Sequence, residues 1–413
     1  MKKVFSKIQA VVFVCGCSLI MSCVHRSANN SLVPVPWDSV PLIQEQKGYS
    51  LPPSLVVVDL EKDFPTLNLK IELKDFKYVP LETTPKLHLD KDRTVKYLSD
   101  KYCVIINRER GDVFVFNLDG KCVGNFNHQD PGPYGYRYIA DIVVDEDAEE
   151  IFILTFNRSI LVYTFSGKYQ RKFYYPEGTQ INKIINFNNT ALLASGYPQH
   201  NMSENSLLKK TPYILLSKQT GEVIGSLNVR YPERQAILGG GDWYTTTPNM
   251  LKNGKDIYIS NTSSDTLYHI EQDGKLKPFL VRTPSVFGKK PQMFFQITDK
   301  LGSYLLLEKT VNEIVPGAAK GQEFRHERYV LDLETGDMYK LGIMKFSDKS
   351  EDKVSFAIDL VPYDLAANTV TAFVDADELM DELKNGNVKS DELKKVISAL
   401  HEEDNPVLVI IKF

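Results

Sequence analysis

The feature that most constrains the fold is a repeated strand, turn and strand unit. Residues 106–108 and 112–121 match residues 156–158 and 159–168 nearly position for position, each with Asn-Arg, an apolar strand and a Gly-Lys turn. Looser copies end at Gly221, Gly274 and Gly336. A tight turn between two strands needs a positive φ, which glycine adopts without steric cost. The repeat therefore predicts a chain of β-hairpins.

The spacing of the repeat predicts an all-β, six-bladed β-propeller. The turn glycines at 120, 167, 221, 274 and 336 recur 47 to 62 residues apart, which suits the four strands of a propeller blade. Residues 75–413, less one helical insertion, leave room for about 5.7 units of this size. We expect a split sixth blade, with residues 77–82 as its outer strand beside residues 406–413, because this closure removes two unpaired sheet edges.

The first 22 residues have the pattern of a signal peptide. Lys2, Lys3 and Lys7 form a basic start, and residues 8–22 are uncharged and too short to span a bilayer. The sequence Leu-Ile-Met-Ser-Cys at 19–23 resembles the lipobox of bacterial lipoproteins, which predicts a lipid on Cys23. Two alternatives remain. The leader could be cut before Cys17, or the protein could be secreted without a lipid after a cut elsewhere.

Residues 23–54 read as a lipidated tether, and residues 55–413 as the propeller. The tether is polar, is interrupted by prolines and shows no helical or strand period. We expect a protein anchored by lipid in the cell envelope, at the outer membrane, facing either the periplasm or the cell surface. The net charge of −4 becomes more negative once the leader leaves, which argues against nucleic acid as a partner.

Two cysteines, Cys103 and Cys122, remain in the predicted propeller. They fall on strands with a third strand between them. Two strand spacings of about 4.8 Å each exceed the reach of a disulfide, so we predict two unpaired thiols.

Four segments together resemble a known family. They are Tyr-Val-Pro-Leu-Glu-Thr-Thr at 78–84, the turn at 116–121, Pro-Gly-Pro-Tyr at 131–134 and Asn-Pro-Val-Leu-Val at 405–409. Over residues 55–413 the chain resembles the six-bladed β-propeller lipoproteins of Bacteroides and relatives. The resemblance implies the fold. It implies no catalytic residues, because this family is largely of unknown function.

Propeller topology assigns the loops to two faces. The glycine turns join third to fourth strands on one face, so the other connections lie on the opposite face, where propellers usually bind ligands. Aromatic and arginine side chains there could stack on sugars or clamp carboxylates. The candidates are Arg108, Arg110, His128, Tyr134, Arg137, Asn157, Arg158, His200, Trp243 and Asn261. For any single residue we favour the alternative, in which the Asn-Arg pair ends its strand with a local hydrogen bond and a solvated charge.

A helical hairpin is predicted at residues 375–405, between the second and third strands of the split blade. Ser390 is placed to cap its second helix, and Leu393, Val396, Ile397 and Leu400 share one side of that helix. The segment is acidic, so it could dock a partner. We favour a lid packed on the propeller rim, since the apolar stripe must be buried.

Motifs for catalysis and metal binding are absent from the sequence. The seven histidines lack metal-binding spacing, and no phosphate loop or nucleophile motif is present. Residues 145–150 have the alternate carboxylates of a calcium loop without its glycine, which favours a solvated turn. We predict no metal and no cofactor.

Two functional classes remain, and we favour the first. It is a membrane-anchored, noncatalytic binding or scaffold lipoprotein whose ligand is a glycan, a peptide or an envelope protein. The alternative is a propeller enzyme, such as a polysaccharide lyase or a glycosidase, since fold alone does not decide function.

Overall fold

The computed structural model describes residues 42–43, 55–130, 132–175, 180–196, 211–229, 248–270, 274–318, 324–348, 350–359, 364–366 and 368–413. In these residues six separate β-sheets follow one another as the blades of a propeller, which confirms the predicted fold class. The leader, Cys23, His200 and Trp243 lie outside the described residues.

Strands and helices follow the chain in a simple order. Four strands precede the first complete blade: β1 (Leu42–Ile43), β2 (Val56–Asp59), β3 (Thr66–Glu72) and β4 (Phe76–Pro80). Blade 1 comprises β5 (Arg93–Leu98), β6 (Tyr102–Asn107), β7 (Asp112–Asn117) and β8 (Cys122–Asn127). Blade 2 comprises β9 (Asp141–Asp145), β10 (Glu150–Leu154), β11 (Ser159–Thr164) and β12 (Tyr169–Tyr174). Blade 3 comprises β13 (Ile181–Asn186), β14 (Ala191–Gly196), β15 (Tyr213–Ser217) and β16 (Val223–Leu227).

The second half of the chain builds the remaining blades. Blade 4 comprises β17 (Pro248–Asn253), β18 (Asp256–Asn261), β19 (Thr266–Ile270) and β20 (Leu276–Thr283). Blade 5 comprises β21 (Met293–Leu301), β22 (Tyr304–Ile314), β23 (Phe324–Asp332) and β24 (Met338–Ser347). Blade 6 comprises β25 (Ile358–Asp359), β26 (Thr369–Val374), β27 (Val407–Lys412) and β4, with helices α1 (Ala376–Lys384) and α2 (Asp391–Ser398) between β26 and β27.

The hydrophobic core is divided among the blade interfaces. Each of the six large clusters of buried apolar residues joins two neighbouring blades, so the core forms a ring. Because a central strand is covered on both faces, its sequence is a continuous apolar run rather than an alternation. The run from Ile151 to Leu154 in β10 is an example, and all four of its side chains are buried.

The ring closes in the split sixth blade as predicted. Strand β4 pairs antiparallel with β27, and Val79 lies opposite Leu408. Asn405 joins the two chain ends and is fully buried. Its side-chain oxygen accepts a hydrogen bond from the Leu89 N–H at 2.7 Å, and its amide nitrogen donates to the carbonyls of Glu82 and Leu87 at 2.8 and 2.9 Å.

An N-terminal belt of three strands surrounds part of the propeller, and the sequence analysis did not anticipate it. Strands β1, β2 and β3 pair in parallel with the outer strands of blades 3, 4 and 5. Each of these blades therefore has five strands, whereas blades 1 and 2 have four. Leu42 and Ile43 of the belt fall within the predicted tether, and they pair with Ser226 and Leu227.

The turn glycines explain how the blades fit together. Gly120, Gly167 and Gly221 have φ values of 74 to 81°. A Cβ atom on them would lie 1.9 to 2.4 Å from Pro80, Phe126 and Phe173 of the preceding blade. No side chain fits at such a distance, so each of these turns packs directly on its neighbour.

The helical hairpin packs against blade 6 and β3. Leu379, Leu393 and Ile397 are buried in one cluster with Leu73 and Val407. Ser390 caps α2 as predicted, and its side chain accepts a hydrogen bond from the Leu393 N–H. Among the described residues, neither helix has the length and apolar character needed to cross a membrane.

Cys103 and Cys122 are both free thiols, as predicted. Strand β7 lies between their strands, β6 and β8.

Candidate ligand-binding face on blades 1 and 2

Loops of blades 1 and 2 meet on the loop face, which is the propeller face that carries the connections between second and third strands. Arg108 follows β6, and its Nε donates a hydrogen bond to the Ile139 carbonyl at 3.0 Å. A second hydrogen bond runs from its Nη2 to the Ala140 carbonyl. The Arg108 guanidinium thus attaches the loop after β6 to the start of blade 2.

The second arginine of this loop also has structural partners. Arg110 forms ion pairs with Asp90 and Asp112, each at 3.1 Å. Its backbone N–H and that of Glu109 donate to the side-chain oxygen of Asn107, at 2.9 and 3.1 Å. Asn107 therefore ends β6 with a local turn, which is the alternative that the sequence analysis favoured.

The His128 imidazole lies beside the turn between the third and fourth strands of blade 2. Its Nε2 is 2.8 Å from the Gly167 carbonyl, so this nitrogen carries the hydrogen and donates it. The imidazole stacks on the Tyr163 ring with 5.0 Å between centroids. These contacts give His128 a packing role between blades 1 and 2.

An aromatic patch lies on the rim of blade 2. We define it as Tyr134, Tyr138, Phe156 and Tyr174, which are 42 to 61% exposed. In the described part of the chain, these four are all of the exposed aromatic side chains, and every one belongs to blade 2 or to the loop that leads into it. Isolated exposed apolar residues are ordinary, but a contiguous group marks an interaction surface.

Backbone pairing brings three members of the aromatic patch, Tyr138, Phe156 and Tyr174, to neighbouring positions. The Ala140 N–H donates a hydrogen bond to the Leu154 carbonyl. Tyr138 lies two residues before Ala140, and Phe156 lies two residues after Leu154. Tyr174 pairs with Ser159, three residues after Phe156. Tyr134 lies further along the rim, where its ring is 4.7 Å from that of Tyr169.

Positive charges surround the aromatic patch. The Lys172 ammonium lies 5.2 Å from the centroid of the Tyr174 ring, within cation–π range. Arg137 is exposed, and its guanidinium has no hydrogen bond or ion pair with another described residue. Arg108 lies next to this group through its bonds to Ile139 and Ala140. Cationic side chains therefore collect here in a chain of net charge −4.

Asn157 and Arg158 occupy the turn after β10. The Asn157 side chain is exposed, and its backbone N–H donates to the Thr155 hydroxyl at 3.3 Å. Arg158 has a φ of 57°, in the left-handed region, and its carbonyl accepts a hydrogen bond from the Tyr175 N–H. Burial raises the pKa of Tyr175 to about 12, and the nearby charge of Arg158 opposes this shift.

Asn261 lies apart from this group, on blade 4 across the propeller. It is buried, and its side-chain oxygen accepts a hydrogen bond from the Ser263 N–H at 2.8 Å. This is a second example of the local turn seen at Asn107. Of the sequence candidates, the structure thus brings seven to blades 1 and 2: Arg108, Arg110, His128, Tyr134, Arg137, Asn157 and Arg158.

Three of the carboxylates at 145–150, the segment weighed as a calcium loop, have protein partners. Asp145 forms a buried ion pair with Lys218 of blade 3 at 2.5 Å. Glu150 makes two hydrogen bonds with the Arg171 guanidinium, and Glu146 accepts one from the Tyr97 hydroxyl at 2.9 Å. Asp145 and Glu146 therefore join neighbouring blades and Glu150 bonds within blade 2, whereas Asp147 and Glu149 are exposed. No cluster of three or more metal-ligating side chains occurs among the described residues.

The sequence did not indicate a binding role for Tyr138, Phe156, Tyr174 and Lys172. A tyrosine or phenylalanine in a strand or loop has no sequence mark that separates an exposed ring from a buried one. Tyr136, two residues before Tyr138, is fully buried and donates a hydrogen bond to the Gly111 carbonyl. The only usable signal was the alternation within β12, which points Phe173 inward and Tyr174 outward.

Residues 55–412 match the family DUF4934, described as a domain of unknown function. The chain therefore belongs to this family. It is similar in fold to a crystal structure described as an exported protein of Bacteroides fragilis, at 14% identity and a TM-score of 0.51, covering 84% of this chain and 99% of that one. A DUF4221 family member from Bacteroides vulgatus matches at 11% identity with a TM-score of 0.43, covering 82% and 97% of the two chains. No curated protein matches the chain.

Proposed function

We propose that this protein is a membrane-anchored, noncatalytic binding lipoprotein of the bacterial envelope. We place its ligand on the aromatic patch and the arginines beside it. The observation that carries the proposal is the concentration of exposed aromatic residues on blade 2 in the described part of the chain. Burying such a patch against a partner would be favourable, because apolar area leaves water.

The chemistry of the patch favours a carboxylated glycan as the ligand. Aromatic rings provide flat apolar surfaces for sugar rings. The unpaired guanidinium of Arg137 can bind a carboxylate in the two-pronged manner of arginine. Lys172 adds a second positive charge, whereas the chain as a whole is acidic. An acidic envelope protein or peptide is the competing ligand, and polyglutamate represents it in the binding test.

The leader and Cys23 support the lipid anchor. A lipid on Cys23 would hold the propeller at the membrane through residues 24–54, at the outer membrane in our proposal. The B. fragilis protein of similar fold is described as exported, which agrees with a leader on this chain. One lipidated cysteine with two or more acyl chains binds membranes stably.

A noncatalytic role is supported by the protein partners of three carboxylates of blades 1 and 2, Asp90, Asp112 and Asp141. Asp90 accepts a hydrogen bond from Asn107 and pairs with Arg110, and Asp112 pairs with Arg110. Asp141 accepts a hydrogen bond from the Ile184 N–H at 3.0 Å. A glycosidase needs two carboxyl groups that are free to act on the scissile bond.

The test is binding of the full-length mature protein, in detergent, to polygalacturonate, neutral dextran and polyglutamate. We expect binding to polygalacturonate that weakens as salt is added. Arg137→Ala and Tyr138→Ala should each weaken it about tenfold, or about 1.4 kcal/mol. Arg325→Ala, an exposed arginine of blade 5, is the matched control and should bind normally.

Three results would contradict the proposal. Equal binding by the two patch variants and the wild-type protein would remove the ligand from blade 2. Binding to polyglutamate alone would indicate an acidic polypeptide as the partner. Shortening of the polysaccharide during incubation would indicate the lyase or glycosidase instead.

A further inference from the structure

A cavity lies away from the aromatic patch, between the outer part of blade 4 and a turn of blade 5. Its volume is about 650 Å³, within the range of about 300–1,000 Å³ found for small-molecule sites. Its walls come from three places: residues 55–57 at the start of β2, the blade 4 side chains Tyr258, His269 and Phe279, and residues 331–336 of blade 5. We call it the blade 4–5 pocket.

The N-terminal belt creates this pocket. At Gly120, Gly167 and Gly221, the turn between third and fourth strands packs directly on the preceding blade. At Gly336, the equivalent glycine of blade 5, the nearest atom to an added Cβ is a methyl carbon of Val56 at 3.8 Å. Val56 belongs to β2, which pairs with the outer edge of blade 4. The fifth strand therefore separates the blade 5 turn from blade 4 and leaves a gap.

Three aromatic side chains of blade 4 form one wall of the pocket. The Tyr258 ring lies 4.9 Å from the His269 imidazole and 5.5 Å from the Phe279 ring, measured between centroids. The Asp256 carboxylate lies 3.2 Å from His269 Nε2 and orients the imidazole. An aromatic wall of this kind offers a flat apolar surface of fixed orientation.

The Tyr258 hydroxyl is an unused polar group in this wall. Tyr258 is only 6% exposed, and no described residue forms a hydrogen bond with its hydroxyl. The hydroxyl is not one of the fully buried, unpartnered side-chain atoms of the described residues, so it is open to the pocket and lacks a protein partner there. A ligand hydroxyl in the pocket would supply that partner.

The charge of the pocket limits the class of ligand. Asp332 and Glu334 stand on the blade 5 side, and no lysine or arginine is among the lining residues. The Asp332 carboxylate accepts a hydrogen bond from the Glu334 N–H at 2.9 Å, which fixes the turn. An anionic ligand would be repelled here, whereas sugar hydroxyls can donate to carboxylates.

We propose that the blade 4–5 pocket binds a neutral pyranose ring. The apolar face of the sugar stacks on the aromatic wall, one sugar hydroxyl bonds to Tyr258, and others donate to the acidic blade 5 turn. This site does not depend on the proposed carboxylate-binding patch of blade 2, because the two surfaces share no residue and have opposite charge. The protein would then contact a glycan at two separate points.

The test is ligand-observed NMR on the mature protein with methyl glucoside, methyl galactoside, N-acetylglucosamine and tetramethylammonium chloride as separate probes. We expect saturation transfer to at least one neutral sugar. Tyr258→Phe should weaken that binding about fivefold, the ratio that corresponds to one hydrogen bond of ordinary net strength. The unfolding temperature of Tyr258→Phe should match that of the wild-type protein, because the hydroxyl has no protein partner to lose.

A second tyrosine variant is the matched control. Tyr102→Phe removes a phenol hydroxyl from blade 1, outside both the aromatic patch and the blade 4–5 pocket, and should leave sugar binding unchanged. Equal sugar affinity of Tyr258→Phe and the wild-type protein would overturn the assignment of the pocket. Binding of tetramethylammonium without any neutral sugar would also overturn it, and would show that the aromatic and acidic wall selects cations.

Discussion

Asn405 offers a direct test of how the propeller closes. Its buried side chain makes three hydrogen bonds with the backbone of the segment between β4 and β5, at Glu82, Leu87 and Leu89. That segment connects the outer strand of blade 6 to the inner strand of blade 1. Replacing the side chain therefore affects the joint that holds the two ends of the ring together.

The expected loss of stability follows from these contacts. In Asn405→Ala, one buried N–H and two carbonyls lose their partner. Each unsatisfied buried group costs about 1–3 kcal/mol. If water satisfies part of them, we expect a loss of about 3–5 kcal/mol in the free energy of unfolding. This is a large part of the 5–15 kcal/mol that stabilises a typical domain.

Urea unfolding followed by tyrosine and tryptophan fluorescence measures this loss, with amide hydrogen exchange as the local readout. Asn117→Ala is the matched control. The Asn117 side chain accepts hydrogen bonds from the N–H groups of Asp119 and Lys121 in an exposed turn, where water can replace it. We expect a loss below about 1 kcal/mol for the control. Equal losses for the two variants would refute the role of Asn405 in closure, as would unchanged exchange at Leu89.

Two further predictions concern pH and anchoring. Burial raises the pKa of Glu327, but hydrogen bonds from Lys309 and Tyr329 and the charge of Lys309 lower it to a net value below the usual range. This carboxylate stabilises the fold above its unfolded pKa and loses that contribution as pH falls through its folded pKa. In acid denaturation, Glu327→Gln should therefore lose less stability than the wild-type protein below about pH 4.5, and an identical acid profile would contradict this. Cys23→Ser should release the protein from membranes in fractionation, whereas a cleaved serine variant that stays in the detergent phase would point to Cys17.

The belt has a consequence for the proposed lipid anchor. Strands β1 to β3 run along the outer edges of blades 3, 4 and 5 before β4 closes blade 6. A lipid at Cys23 would therefore connect to the rim of the propeller through paired backbone. Parallel pairing also covers edges that would otherwise expose unpaired N–H and C=O groups.

Local chemistry was enough to predict the repeat and the turns, whereas the closure of blade 6 was predicted from the number of repeat units. Gly120, Gly167 and Gly221 stand out because only glycine tolerates both a positive φ and a neighbouring chain at that distance. The cap at Ser390 follows from the same kind of rule, since a helix start needs a side-chain acceptor. Such features depend on residues close together in the chain, so their sequence patterns are reliable.

The repeat was therefore enough to predict six blades, whereas the packing of the blades controls which side chains form surfaces. The alternation in β3 shows a strand with one buried side, but only the packed structure shows that it joins blade 5. Tyr136 and Tyr138 are chemically alike, and one is buried while the other is exposed. Backbone preferences and the apolar period depend on residues that are neighbours in the chain. The burial of a side chain and its distance from side chains of other blades depend on how the blades twist and pack.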